Sequence, residues 1–226
     1  MKYERIKKAK FIARPNRFIA IAELDGQETV CHVKNTGRCR ELLVPGATVF
    51  VQEAENPSRK TKYDLIAVYK GDRLVNMDSQ VPNKVFFEWV QAGGLFQNVT
   101  YIKPETTYKN SRFDFYIEAD GKKIFVEVKG VTLEKDGAVY FPDAPTERGV
   151  KHLYELMECK KEGFEAYVVF VVQMKGVTRF SPHDETHKAF GDALRAAAKA
   201  GVNILAVDCE VTENSITAAD FVKVIL

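Results

Sequence analysis

The chain has no cysteine pair in a C-x-x-C arrangement; Cys31, Cys39, Cys159 and Cys209 are scattered along its 226 residues. That spacing excludes a zinc ribbon or a thioredoxin-like motif and reads as reduced structural thiols. Nor does any apolar run approach the roughly 20 residues that a membrane-spanning helix needs. The opening residues, MKYERIKKAK, lack the apolar centre of a secretory signal. The cytoplasm is therefore the expected location, with no membrane partner. A strong net charge is missing too, at +2, but the small total hides an asymmetry. Residues 1–80 carry 15 Lys and Arg against 10 Asp and Glu, and residues 81–226 carry 18 against 21. A modestly basic first part before an acidic second suits a phosphate grip beside a cation site.

What is present is a globular composition, 46% hydrophobic and 28% charged, on a chain long enough for one large or two small domains. Six short strand-like stretches fill residues 8–77, separated by turn signals at 14–16, Asp25-Gly26, Asn35-Thr36-Gly37, Pro45-Gly46, Asn56-Pro57 and Gly71-Asp72. So many short strands in so little chain predict a small closed barrel, because closure removes exposed edges. An OB-fold is the preferred example. Basic residues gather at its turns: Arg14 and Arg17 around Pro15-Asn16, Lys34 and Arg38 around Asn35-Thr36-Gly37, and Arg59, Lys60 and Lys62 in the 56–62 loop. Phe11, Phe18, Phe50, Tyr63 and Tyr69 are interleaved with them. For any one residue the simpler reading is a core ring or a solvated charge, but basic loops clustered with rings suit an oligonucleotide-binding barrel.

Alternation stops near Asp78, and an apolar helical pattern starts with Val85, Phe86, Trp89 and Val90. This divides the chain into domains 1–82 and 83–226. Asn83 is a candidate N-cap and Gly93-Gly94 a stop. Glu88 on this helix either faces solvent or points onward as a further metal or water ligand.

The stretch Ser111–Gly130, SRFDFYIEADGKKIFVEVKG, reads as a β-hairpin turning at Asp120-Gly121. A two-residue turn sets Asp114 opposite Glu127 and Arg112 opposite Lys129, and period two puts all four on one face. Opposed carboxylates with Cβ atoms about 4.5–5.5 Å apart repel unless a cation lies between them. Oxygen-only ligands predict Mg²⁺ or Mn²⁺, with Lys129 reaching a bound phosphate or the attacking water. Asp114…Glu127-Val128-Lys129 resembles the signature of the PD-(D/E)XK nuclease superfamily, with Phe113 where its proline stands. The resemblance implies a catalytic set of Asp114, Glu127 and Lys129.

Pro145-Thr146 opens a second helix. Leu153, Leu156 and Met157 form its predicted core face, and Arg148, Lys151, His152 and Glu155 an opposite stripe, suited to holding phosphates or merely solvated. Residues 166–172, AYVVFVV, read as a strand covered on both faces, and 203–211 as another. With a helix over 184–200 between them, a mixed sheet flanked by helices is expected. His183 and His187 have the i, i+4 spacing of a zinc protease, but Asp184 holds the general-base position and no third ligand is evident.

The motifs HVKNTGR at 32–38, PN-x-VFF at 82–87, SRFDF at 111–115, EVKGVTL at 127–133 and FPDAPTERGVKHLYEL at 141–156 together resemble the sugar fermentation stimulation protein family. The resemblance spans most of the chain. It implies an α+β two-domain protein, an N-terminal OB-like barrel joined to a C-terminal PD-(D/E)XK-like domain, and nucleic acid as partner, DNA first. It also adds weight to Arg148, Lys151 and His152. Two functions remain open: a metal-dependent nuclease, and a non-cleaving DNA-binding regulator of sugar metabolism built on a nuclease fold.

Overall fold

A computed structural model describes residues 1–35, 37–56 and 58–226; Thr36 and Pro57, within two of the expected turns, lie outside the described residues. Its first part holds strands β1 (Ile6–Asn16), β2 (Ile19–Leu24), β3 (Gln27–Val33), β4 (Thr48–Glu53), β5 (Tyr63–Lys70) and β6 (Arg73–Asn76). The order β3-β2-β1-β4-β5 is closed by a β3–β5 pairing into a five-stranded barrel, and β6 extends it from β5. The barrel expectation is borne out. Of the five rings read as interleaved with its basic loops, Phe11, Phe50 and Tyr63 are core, and Phe18 is the one left well exposed.

Helix α1 (Val81–Gln91) follows, then β7 (Val99–Tyr108), β8 (Ser111–Ala119), β9 (Lys122–Val131), β10 (Leu133–Lys135) and β11 (Ala138–Phe141). Next come α2 (Glu147–Lys161), β12 (Glu165–Val172), β13 (Arg179–Pro182), α3 (Asp184–Lys199), β14 (Asn203–Thr212), β15 (Ser215–Phe221) and β16 (Lys223–Val224). The main sheet runs β15-β14-β12-β9-β8-β7, and a smaller one runs β10-β11-β13-β16. In the main sheet β12 lies parallel to both β9 and β14, while β7, β8 and β9 are antiparallel, so the sheet is mixed as expected. The continuous apolar run of β12 follows from its central place, with helices covering both faces. α1 packs on one face, where the Phe86 and Phe115 rings lie 5.0 Å apart. On the other, Leu153 and Leu156 of α2 and Phe190 and Leu194 of α3 close the core over Phe170.

The two parts share buried surface. Phe50 and Ile66 of the barrel belong to the same apolar cluster as Val85, Phe86 and Phe115. Gln173, fully buried just after β12, donates its amide to the Asn76 and Asp78 carbonyl oxygens and to Asn76 Oδ1, clamping the linker. Gly130 is required there, because a Cβ would stand 2.6 Å from Gln173 Oε1 and 2.7 Å from Pro82 Cγ. A second clamp is Glu134, buried between Lys70 at 2.5 Å and Arg73 at 2.9 Å from the barrel.

α1 starts three residues earlier than expected, with Gln80 rather than Asn83 at the N-cap position and Pro82 in its first turn. In α3 the backbone leaves helical geometry at His187. His183 bonds Thr186 and the Pro142 carbonyl, and His187 bonds Glu147, so the two rings are engaged by different partners.

Candidate metal centre

Asp120 and Gly121 both adopt positive φ, 52° and 71°, so the hairpin turn is the two-residue type its sequence favours. The β8–β9 ladder then runs from Ala119↔Lys122 to Phe115↔Val126. One step beyond, side chains replace the ladder. Asp114 Oδ2 accepts the Val128 N–H at 2.8 Å, and Oδ1 accepts Asn83 Nδ2 at 2.8 Å. The adjacent strand therefore holds this carboxylate from one side and the first turn of α1 from the other.

Glu127 is 3% exposed. Its Oε1 receives Lys129 Nζ and His152 Nδ1, each at 2.5 Å. Arg148 Nε donates to His152 Nε2 at 3.3 Å, which leaves the imidazole proton on Nδ1, where Glu127 accepts it. The second oxygen, Glu127 Oε2, is buried and has no hydrogen-bond partner among the described residues.

The two carboxyls are driven in opposite directions. Burial, then the charge of Glu127, pushes Asp114 above the ordinary carboxylate range, against the bonds from Val128 and Asn83. Burial acts upward on Glu127 as well, but the His152 hydrogen bond and the Lys129 charge outweigh it and hold Glu127 below that range. Such separation marks a site where one carboxylate is fully formed and its neighbour is reluctant to ionise unless positive charge arrives.

A cleft of about 290 Å³ opens over this pair, lined also by Ser79, Gln80, Thr146 and Arg148. Gln80 stands at the N-cap position of α1 without a side-chain cap bond, and Thr146 caps α2 through its hydroxyl on the Gly149 N–H. Two helix N-termini thus border one cleft, and their partial positive charge favours an anion there. Among the described residues no group of three or more His, Cys, Asp or Glu side chains converges. The donor set is two carboxylates, the number with which Mg²⁺ is commonly held while keeping waters and substrate oxygens.

The other expected residues are placed differently. Glu88 sits half-exposed against the Met1 ammonium group and does not line the cleft, so α1 supplies Asn83 to the site instead. Arg112 is exposed beside Glu105, 3.5 Å away. Lys151 is exposed on the Asn110 carbonyl. His152, expected on a solvent stripe, is 4% exposed and turned inward to Glu127. In the barrel, Arg14 spends its guanidinium on the carbonyls of Arg17, Asn35 and Arg38. Lys34 is 17% exposed between Asp64 and Asp78. Arg17 and Arg38 remain exposed, joined by Arg40, which no sequence signal distinguished. Ser79 and Gln80 were equally silent, since a linker residue at a helix start carries no periodicity.

Two family models match the chain: a "Sugar fermentation stimulation protein RE domain" over residues 80–215, and an "SfsA N-terminal OB domain" over residues 12–77. The sugar fermentation stimulation protein homolog of Clostridium beijerinckii is 66% identical over 226 residues, covering 100% of each chain. That of Desulfitobacterium hafniense strain Y51 is 66% identical, covering 99% of this chain and 98% of its own. Among solved structures, Pyrococcus furiosus SfsA in complex with Ca²⁺ matches with a TM-score of 0.90 at 26% identity, over 100% of this chain and 98% of that one.

Proposed function

The chain belongs to the sugar fermentation stimulation protein family, and from that premise we propose that it is a divalent-metal-dependent phosphodiesterase acting on nucleic acid, DNA first, with its centre at Asp114, Glu127 and Lys129. The observation that carries this reading is the bare Glu127 Oε2 beside a carboxylate that resists ionisation. A buried acceptor left unpaired costs about 1–3 kcal/mol, more when charged. A cation held by Asp114 and Glu127 relieves both that cost and the repulsion between the two groups.

An all-oxygen donor set suits Mg²⁺ or Mn²⁺. Ca²⁺, the ion in the Pyrococcus furiosus relative, shares that preference for oxygen. Bound there, the metal supplies Lewis acidity to a phosphate oxygen and lowers the pKa of its water. The remaining work belongs to the chain. Lys129 donates one ammonium N–H to Glu127 in a hydrogen bond and keeps the others for a phosphate oxygen or the attacking water. Arg148 and the first turn of α2 hold the phosphate at the cleft wall. His152 fixes the rotamer of Glu127 through Nδ1 and is itself fixed by Arg148.

Cleavage assays on single-stranded, duplex and branched DNA and RNA, with Mg²⁺ or Mn²⁺ against EDTA, test this. Metal-dependent cleavage is expected, abolished in Glu127→Ala and reduced about 100- to 1,000-fold in Lys129→Ala. Cleavage that survives Glu127→Ala moves the centre elsewhere. Binding with no metal-dependent cleavage of any of these substrates leaves the non-cleaving regulator.

A further inference from the structure

We propose that a second cleft, on the rim of the barrel, takes a single-stranded stretch of nucleic acid by its phosphates and by one stacked base. It measures about 280 Å³ and is lined by Arg14, Asn16, Arg17, Arg38, Arg40 and Leu43. Four arginines meet there, and they divide into two jobs. Arg14 is consumed by three backbone carbonyls at 2.7–2.9 Å and ties the 14–17 turn to the 35–38 loop, so it builds the cleft. Arg17, Arg38 and Arg40 are exposed, and none makes an ion pair among the described residues. The carboxylate that feels the charges of Arg38 and Arg14 is Asp143, which lies beside Gly37 and forms no ion pair with either among the described residues.

Like charges gathered with no ion pair of their own repel one another, and a polyanion is the ligand that relieves them. Phe18 specifies the kind of polyanion. Its ring is 43% exposed at the same rim, with the Arg17 guanidinium 4.7 Å from its centroid. A ring and a guanidinium presented together are a stacking platform for an unpaired base, and a duplex keeps its bases stacked out of reach. A single strand therefore satisfies both features where a duplex satisfies one.

This cleft is joined to the metal centre at two points. Gly37, in the loop that Arg14 ties down, lies against Asp143 in the segment before α2, and Ser79, which lines the metal cleft, donates its hydroxyl to the Lys34 carbonyl. The inference shares the ligand class of the proposed function but none of its catalytic residues, so either can fail alone.

The test is fluorescence anisotropy of full-length protein in EDTA, using a labelled oligothymidylate of about 12 nucleotides and a duplex of equal length. Wild-type protein is expected to prefer the single strand. The triple variant Arg17→Ala, Arg38→Ala, Arg40→Ala is expected to lose at least tenfold in single-strand affinity and to flatten the log K against log salt slope by about 2. Phe18→Ala is expected to lose about tenfold for the single strand and nothing for the duplex. The doubly substituted Arg38→Gln, Arg40→Gln protein, with its melting temperature as a fold check, repeats the test with milder changes. Arginine variants that bind as wild type, or a Phe18→Ala loss equal for both probes, overturn the proposal.

Discussion

The carboxylate cleft and the arginine cleft are of similar size and opposite construction. In the first, every charge is spent inward: Glu127 answers Lys129 and His152, His152 answers Arg148, and Asp114 answers two donors, leaving one bare oxygen. In the second, three guanidiniums face outward with no carboxylate partner among the described residues. Burial makes the difference. A desolvated charge must be matched within a few ångströms, so chemistry there is fixed by geometry. An exposed charge needs no match, and its effect scales with salt.

The sharpest way to break this contrast is to loosen the inward network without touching its carboxylates. His152→Ala removes one of the two bonds on Glu127 Oε1 and is expected to lower metal affinity and turnover about 10- to 100-fold, with EDTA-state binding of single strands unchanged. Titration calorimetry with Mn²⁺ against anisotropy separates the two. Smaller is the effect of welding the clefts too tightly. A Cβ on Gly37 would lie 2.0 Å from Asp143 Oδ2, so Gly37→Ala should cost about 1–3 kcal/mol, and Asp143→Ala in the same chain should recover part of it. Urea denaturation of the two single variants and the double variant measures this coupling; strict additivity would show that the barrel loop and the segment before α2 are independent. The smallest effect belongs to a helix end. Thr146→Ala removes the cap on the Gly149 N–H and should cost about 1 kcal/mol, seen as about 2–4 °C in the melting temperature.

The same division explains what could be read from the residues alone. The Asp-Gly turns at 25–26, 120–121 and 136–137 all adopt the positive φ pair their sequence favours, so the register of β8 on β9 was local information. β12 declared itself by being apolar throughout. His152 did not: a stripe at i, i+3 and i+4 separates aliphatic from polar residues, and nothing in it says that a polar residue will be buried against a charge on another element. The partners of Lys34 and Arg14 were hidden for the matching reason, since they are distant carboxylates or backbone carbonyls that carry no sequence signal. Glu88 had the right charge on the right helix but lies outside the cleft, while Asn83, read as a cap, reaches the site. β7 passed unmarked because it is an edge strand, polar on both faces and interrupted by Pro104.

The linker clamp has a consequence for measurement. Gln173 holds residues 76–78 and Glu134 holds β5 and β6, so barrel and sheet are clamped to each other at two points. If one strand occupies both clefts, the number of nucleotides between anchor and cut is a constant of the molecule, as between the jaws of a fixed caliper. Digests of an end-labelled single strand would then show a preferred fragment length, and lengthening residues 77–80 would either move that length or blur it.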